Sequence, residues 1–306
     1  MKHVIPKPLL KGDVIGVAAV SGPVNISKLE KGVNFFHKLG LEIKFGSNIY
    51  DQLEYLAGTD RERSSGLNNL ISDPDVKGIF FARGGYGSMR ILPQIDYQAI
   101  KTQPKILMGM SDLTAVSMAV HRHCSLVTLA GPMLAGQISE VLDRNSEDFM
   151  IRALTEPLEC FNMMGEFSSE LRILRTGKTK GYLLGGCLSV LVSLLGTPYC
   201  PNFPDSVLFL EDINEPAYKI DRMLTQMKLT GIFGSIRGVI IGHFSGNESE
   251  ASKAVAERIV MEYTESRRIP VISNYPHGHA LPNITLPVGA LVEFEASGNH
   301  VTLRCV

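Results

Sequence analysis

The chain has 306 residues, of which 44% are hydrophobic and 20% charged, with a net charge of −1. This is enough chain for one large or two ordinary globular domains, and it lacks the basic field that nucleic acid or an anionic membrane surface would require. No apolar run reaches the roughly 18–20 residues needed to cross a bilayer, and the five cysteines are scattered and odd in number, which argues for a reducing, cytoplasmic setting over a disulfide framework.

The opening stretch MKHVIPKPLLKGDVIGV carries prolines and charge where a signal peptide needs an unbroken apolar core. DVIGVAAV (13–20) is strand-like. In the next segment Ile26, Leu29, Val33, Phe36 and Leu39 mark one helical face, with Asn25 placed to cap it and Gly40 to end it. LEIKFG reads as a strand, TDRERSSGLNNLIS as a polar-faced helix, and VKGIFFA, PKILMGM and LVTLAGP as further strands. Such alternation predicts a largely parallel sheet with helices on both faces, whose ligands bind beyond the carboxyl ends of the strands. RGGYGS (83–88) and Ser111 both fall at such ends. The pattern weakens over 136–180, which holds one helix and then mixed polar chain, so a domain boundary is expected near 160–175. Beyond it, KGYLLGG, SVLFLED, RGVIIGHF, PVISNY, ALVEFEAS and HVTLRCV read as strands, with helical patterns at 187–195, 216–229 and 250–264. Pro216 suits the first helical position there and Gly231 a stop.

Several cofactor signals fail on inspection. Arg90 stands where a dinucleotide fingerprint beginning at GGYG needs its last small residue, and Arg172 occupies the leading glycine of a P-loop ending in Gly-Lys-Thr. His121 with His123, or His277 with His279, could begin a zinc site, but only Cys124 lies near to extend a ligand set. Nucleophilic chemistry fits better. Gly-Met-Ser-Asp at 109–112 leaves a strand and enters a helix, so Ser111 is either a helix cap or the nucleophile of an elbow that lacks the usual second glycine. Gly84 and Gly85 could let a backbone N–H approach a scissile carbonyl, or could form only a tight turn. Glu211 ends an apolar strand, an unfavourable place for an unpaired charge. Asp212 and Glu215 read as surface or capping residues of the Pro216 helix, and Asp221 and Arg222 as a pair on it. His277 and His279 lie in NYPHGHALPN, a loop following a strand.

Six strings, YLAGTDRERSSGL, FARGGYGSMRIL, MGMSDLTA, GYLLGGCLSVLVSLLGTP, FLEDINEPAYKIDRML and PHGHALPNITLPVGA, occur in order across most of the chain. Together they resemble the LD-carboxypeptidase family, serine peptidases that include murein LD-carboxypeptidases and microcin immunity proteins. The resemblance implies Ser111 as nucleophile, Glu211 as orienting acid and His279 as base, with His277 at a variable position, and the backbone N–H groups of Gly85 and Asp112 as the oxyanion hole. It also implies an α/β architecture: a flavodoxin-like, mostly parallel N-terminal sheet domain (1–165) and a smaller β-rich mixed α/β C-terminal domain (166–306), commonly a homodimer, with no metal or organic cofactor. The implied substrate is a small murein L,D-peptide that loses its terminal D-amino acid. Arg83, beside the glycine loop, is a candidate to bind the free carboxylate. Two alternatives stand beside this reading. One is hydrolysis of a peptidyl-nucleotide, as in the immunity branch, where an aromatic side chain is expected to stack on the base; the chain has no tryptophan, but nine tyrosines and thirteen phenylalanines. The other, from a different class, is a catalytically silent ligand-binding α/β module.

Overall fold

The computed structural model describes residues 3–165, 167 and 170–306. Two sheets organise it. The first contains β1 (Val14–Ala18), β2 (Glu42–Phe45), β3 (Val76–Phe81), β4 (Ile106–Met108) and β5 (Thr128–Ala130) in the order β2-β1-β3-β4-β5, all parallel. This is the flavodoxin-like order, in which β1 and β3 flank the topological switch point. Helices α1 (Ile26–Lys38), α2 (Asp60–Ser72), α3 (Ser88–Ile91), α4 (Tyr97–Thr102) and α5 (Thr114–Cys124) lie between and after these strands, and α6 (Arg144–Thr155) follows. Local chemistry sets several of the ends. The Asn25 side chain accepts from Lys28 N at 3.0 Å, and Gly40 takes up φ +81° just past α1. Thr59 and Glu62 form a reciprocal capping box at the start of α2.

The second sheet is mixed. It is built from β6 (Arg172–Arg175), β7 (Gly177–Cys187), β8 (Ser206–Ile213), β9 (Gly238–Ser245), β10 (Val271–Ser273), β12 (Leu291–Ser297) and β13 (His300–Cys305), in the order β13-β12-β7-β8-β9-β10-β6. The run from β7 to β10 is parallel and its outer strands antiparallel. Helices α7 (Leu188–Ser193), α8 (Ala217–Leu229) and α9 (Ser249–Tyr263) connect the parallel strands. The strand β11 (Leu286–Val288) instead joins the first sheet, antiparallel to β5. Its central Pro287 lacks an N–H, which is tolerated because β11 is an edge. Neither β11 nor β6 was expected from the pattern: one holds a proline, and the other reads Arg-Ile-Leu-Arg with charge at both ends. Pro216 caps α8 from one position before its first turn, and Gly231 follows the helix at φ +82°.

The middle of β8 explains why its sequence is so apolar. Val207, Leu208, Phe209 and Leu210 are all buried between the neighbouring strands and the covering helices. The two sheets meet where β7 ends against the start of α5. Thr114 Oγ1 accepts from Cys187 N at 3.1 Å, and a Cβ on Gly186 would lie 2.5 Å from that same oxygen. A cavity of only about 10 Å³ remains among Met110, Thr114, Gly186, Glu211 and His277, so this junction is close-packed.

Candidate active site

The loops after β1, β3 and β4 converge at the carboxyl edge of the first sheet. Met110 is extended (φ −142°, ψ −169°), and Ser111 then turns to φ +62°, in the left-handed region that serine rarely occupies. The turn that Ser111 begins has no side-chain cap, and the Ser111 hydroxyl makes no hydrogen bond among the described residues. A capping role for this side chain is therefore corrected: a strained backbone presents an uncommitted hydroxyl. Gly84 lies directly against it. A Cβ there would fall 2.9 Å from both Ser111 Cβ and Oγ, which only glycine avoids.

Asp112 is buried, and burial raises its carboxyl pKa against the lowering effects of its hydrogen bonds. Ser21 Oγ donates to Asp112 Oδ2 at 2.5 Å and Ser88 N to the same oxygen at 2.8 Å, while Ser88 Oγ donates to the Asp112 carbonyl at 2.6 Å. The residue after the serine is thereby tied to the ends of both switch-point loops. The backbone N–H groups of Gly85, at φ +117°, and of Asp112 bond to no other group among the described residues. Beneath this loop Arg63 is fully buried although α2 reads as polar-faced. Its guanidinium donates to the carbonyls of Val20, Gly87 (2.8 Å) and Gly58 (3.3 Å) and pairs with Asp60, so it fastens the two loops together. Arg83 is exposed, donates to Pro23 O at 3.1 Å, and has no carboxylate within ion-pair distance among the described residues.

The second sheet supplies an acid and an imidazole. A register shift between β8 and β9 falls at Glu211, which faces two β9 residues, Gly242 and His243; such bulges re-aim a side chain. Glu211 is 1% exposed, and His279 Nδ1 donates to its Oε2 at 2.7 Å. Desolvation pulls the His279 pKa down, but the Glu211 hydrogen bond and charge, helped by Asp212, outweigh it and leave the value raised above 6.5. His277, two residues away, lives differently. It is buried, its Nδ1 donates to Ile284 O at 2.9 Å, and burial drives its pKa to about 4. One imidazole is thus paired with a carboxylate, and the other is a neutral piece of the core.

Sequence reasoning misplaced two acids. Asp212 is buried, not a surface group of the α8 helix: it accepts from Ser189 N at 2.8 Å in the first turn of α7 and from Ile213 N at 2.8 Å, and desolvation lifts its pKa to about 6. Asp221 pairs with Arg258 of α9 at 3.6 Å, while Arg222 lies over the Tyr218 ring, so these neighbours do not pair with each other. The His277–Gly–His279 and His121–Arg–His123 pairs belong to no metal-ligand group of three or more among the described residues. A cavity of about 290 Å³ lined by His3, Tyr182, Leu291 and Cys305 includes neither Ser111 nor His279 in its wall.

Comparison with known proteins places the chain in a family. Residues 15–131 match the LD-carboxypeptidase N-terminal domain and residues 180–294 the LD-carboxypeptidase C-terminal domain. The probable murein peptide carboxypeptidase of Bacillus subtilis is 37% identical over 288 residues, spanning 93% of this chain and 89% of that protein. The microcin C7 self-immunity protein MccF of Escherichia coli is 27% identical over 97% of this chain and 94% of its own. A solved structure of an MccF mutant in complex with adenosine monophosphate superposes with a TM-score of 0.91 at 25% identity, covering 99% of this chain and 98% of that one. The muramoyltetrapeptide carboxypeptidase from Oxalobacter formigenes does so at 0.82 and 28% identity, covering 95% and 98%. The chain belongs to the LD-carboxypeptidase family, a family of serine peptidases.

Proposed function

We propose that this protein is a serine LD-carboxypeptidase that hydrolyses the amide before a terminal D-amino acid, converting murein tetrapeptide to tripeptide and D-alanine during wall recycling. The observation that carries the reading is the buried Glu211–His279 contact of 2.7 Å on one side of the junction, set against a strained serine with an uncommitted hydroxyl on the other. In the proposed reaction His279 Nε2 takes the Ser111 proton as Oγ attacks the scissile carbonyl. The Gly85 and Asp112 N–H groups receive the developing oxyanion. The same imidazole, now protonated, gives its proton to the leaving amine, and the free D-amino acid departs. Water then attacks the acyl-serine with His279 again as base, which releases the shortened peptide and restores Ser111. Glu211 holds the imidazole tautomer and stabilises the imidazolium through both steps. No hydrogen bond joins Ser111 to His279 among the described residues, and the reading assigns the last approach to closure on substrate.

Arg83 is assigned to the free carboxylate of the substrate because its guanidinium lies beside the Gly22 and Gly85 backbones without an ionic partner. The five free thiols favour a cytoplasmic setting, where recycled peptides would be met. The family resemblance favours a homodimer, which sedimentation equilibrium tests directly. A second reading, hydrolysis of a peptidyl-nucleotide, is favoured by the likeness to MccF over almost the whole chain. Purified protein is given a murein tetrapeptide, its D,D- and L,L-linked counterparts, and an aminoacyl-sulfamoyl nucleoside, with products read by mass spectrometry. D-alanine release from the tetrapeptide alone supports the first reading. Cleavage of the nucleoside with the tetrapeptide untouched transfers the assignment to the second, and cleavage of neither removes both.

A further inference from the structure

Between the two halves of the site lies a pair of side-chain amides that the proposed reaction does not use. Gln137 stands at the start of a single 3-10 turn, Gln137–Ser139, half-buried between the first sheet and the histidine loop. Its Nε2 donates to the carbonyl of Gly278 at 3.3 Å and to that of His279 at 3.4 Å. Its Oε1 accepts from Asn283 Nδ2 at 2.7 Å. Asn283 is wholly buried, its Oδ1 accepts from Gly278 N at 3.2 Å, and its Nδ2 also approaches Met110 Sδ at 3.2 Å, one residue before the serine. Behind Gln137, Ala135 N donates to Ala82 O at 2.7 Å, at the root of the glycine loop. The orientation of the amide is fixed by its partners, because a flipped Gln137 would turn its oxygen toward two carbonyl oxygens.

We propose that Gln137 is a positioning residue for catalysis: with Asn283 it holds the backbone of the His279 loop in register with the Met110–Ser111 turn and the Gly84–Gly85 loop. The inference rests on the triad reading above. These amides bond to the backbone of the histidine loop and to the side chain of Met110, and Ala135, two residues before Gln137, ties the same segment to Ala82; neither amide bonds to the imidazole or to Glu211. Glu211 fixes which way the ring faces, whereas Gln137 fixes where the loop carrying that ring sits relative to the nucleophile. The ionisable groups around His279 are Glu211 and Asp212 on β8, His277 on its own loop and His243 on β9, and none of them bonds to Gln137. Each amide bond adds little to net stability, but displacing a reacting group by roughly 1 Å lowers the rate on the order of 100-fold.

The test is steady-state kinetics on the murein tetrapeptide for Gln137→Ala and for Gln137→Met, the second preserving length without hydrogen bonds. Both are expected to lose kcat on the order of 100-fold, with KM little changed and the acid-limb midpoint of the pH–rate profile where the wild type has it. Glu211→Gln, by contrast, should move that midpoint. Wild-type kcat in the Met variant, a loss confined to KM, or a midpoint that shifts with the rate would each overturn the assignment. Should Gln137→Ala fail to fold, the Met variant decides. Ser111→Ala on the same peptide separates the two levels: if it stays active the triad reading itself fails, and if it is inert while the Gln137 variants are normal, only the positioning role does.

Discussion

The turn that carries Ser111 and the loop that carries His279, to which the proposed reaction assigns nucleophile and base, take the chain through a left-handed angle in opposite ways. At φ +62° the Ser111 turn keeps a side chain where glycine would be easier, which the proposed reaction explains by its need for the hydroxyl. At φ +135° the base loop uses Gly278, one residue before the imidazole, and a Cβ at that position would come within 2.9 Å of Glu211 Oε2. Of these two positions, the left-handed angle falls on serine where the proposed reaction needs an atom and on glycine where the path of the chain is the whole requirement; elsewhere Glu54, Ser125, Asp205, Asn214, Arg268 and Asn274 take it up as well. Their supports differ as well. The serine turn is fastened through its immediate neighbour Asp112 to Ser21 and Ser88, whereas the histidine loop leans directly on Glu211 and Gln137 from distant parts of the chain and on Asn283 of its own loop.

The largest effects should come from the reacting groups of each region. Ser111→Ala is expected to lower kcat on the tetrapeptide by up to about 10⁶-fold, as for other triad nucleophiles, with its circular dichroism spectrum unchanged. His279→Ala and Glu211→Gln should each lose roughly 10³-fold or more. His277→Ala should lose far less rate but more stability, since it empties a buried site and orphans the Ile284 carbonyl. Were His277→Ala inert and His279→Ala active, the division between catalytic and structural histidine drawn from their surroundings would be reversed. A smaller effect belongs to the rim. Arg83→Ala should raise KM for the free acid on the order of 10-fold while sparing a carboxamide analogue, in line with the loss of one charge-assisted contact. Equal loss on both substrates would assign Arg83 to the glycine loop's structure.

What the sequence disclosed follows the same division. The strand-to-helix junction at Ser111, the Asn25 cap, the alternating strands and the punctuated histidine loop are local patterns, and all were legible. The order of the parallel strands followed from the family resemblance, and no periodicity contains it. Gln137 and Asn283 gave no signal, because their contact joins positions far apart in the chain and neither residue type is unusual in a loop. Arg63 read as one more charge on a polar helix, since burial of an arginine becomes visible only once the carbonyls of Val20, Gly58 and Gly87 are known to converge on it. Asp212 was misread for a related reason: the helix it serves, α7, precedes it in the chain, and the eye looks forward to Pro216.

The two histidines of the base loop should also respond to pH with opposite signs. His279 has a raised pKa in the folded protein, so its pairing with Glu211 contributes stability that is fully present below about 6.5 and is lost as pH rises through the higher folded value. His277, held neutral with its pKa lowered to about 4, contributes stability that is present above 6.5 and is lost as pH falls toward 4. Denaturant midpoints across pH 4–8 should therefore show a shallower acid-side decline in His277→Ala than in the wild type, by on the order of a kcal/mol or more. His279→Ala should not flatten that limb. Because the base must be neutral to act, activity should titrate on the acid side with a midpoint above 6.5, and Glu211→Gln should bring the midpoint down. A wild-type midpoint well below 6.5 would mean that desolvation, not the carboxylate, dominates at His279.

The smallest expected effect bears most directly on the strain. In the left-handed region a residue with a Cβ is disfavoured by roughly 1–2 kcal/mol relative to glycine, and glycine gives back about 0.4–1 kcal/mol through the freedom of its unfolded chain. Ser111→Ala keeps the Cβ and so keeps the strain, while Ser111→Gly releases it, and both lack the nucleophile. Comparing the two inactive variants removes the hydroxyl from consideration and leaves only the backbone. Ser111→Gly should then be the more stable by roughly 0.5–1 kcal/mol, the difference of those two contributions, measured as the shift between their denaturant midpoints. At Gly278 the same logic runs in reverse. Gly278→Ala introduces both the unfavourable φ and a 2.9 Å contact with Glu211, so it should destabilise the protein and loosen the imidazole contact together. If Ser111→Gly melts no later than Ser111→Ala, the turn holds no strain, and the contrast between a strained nucleophile and a glycine-relieved base loop is wrong.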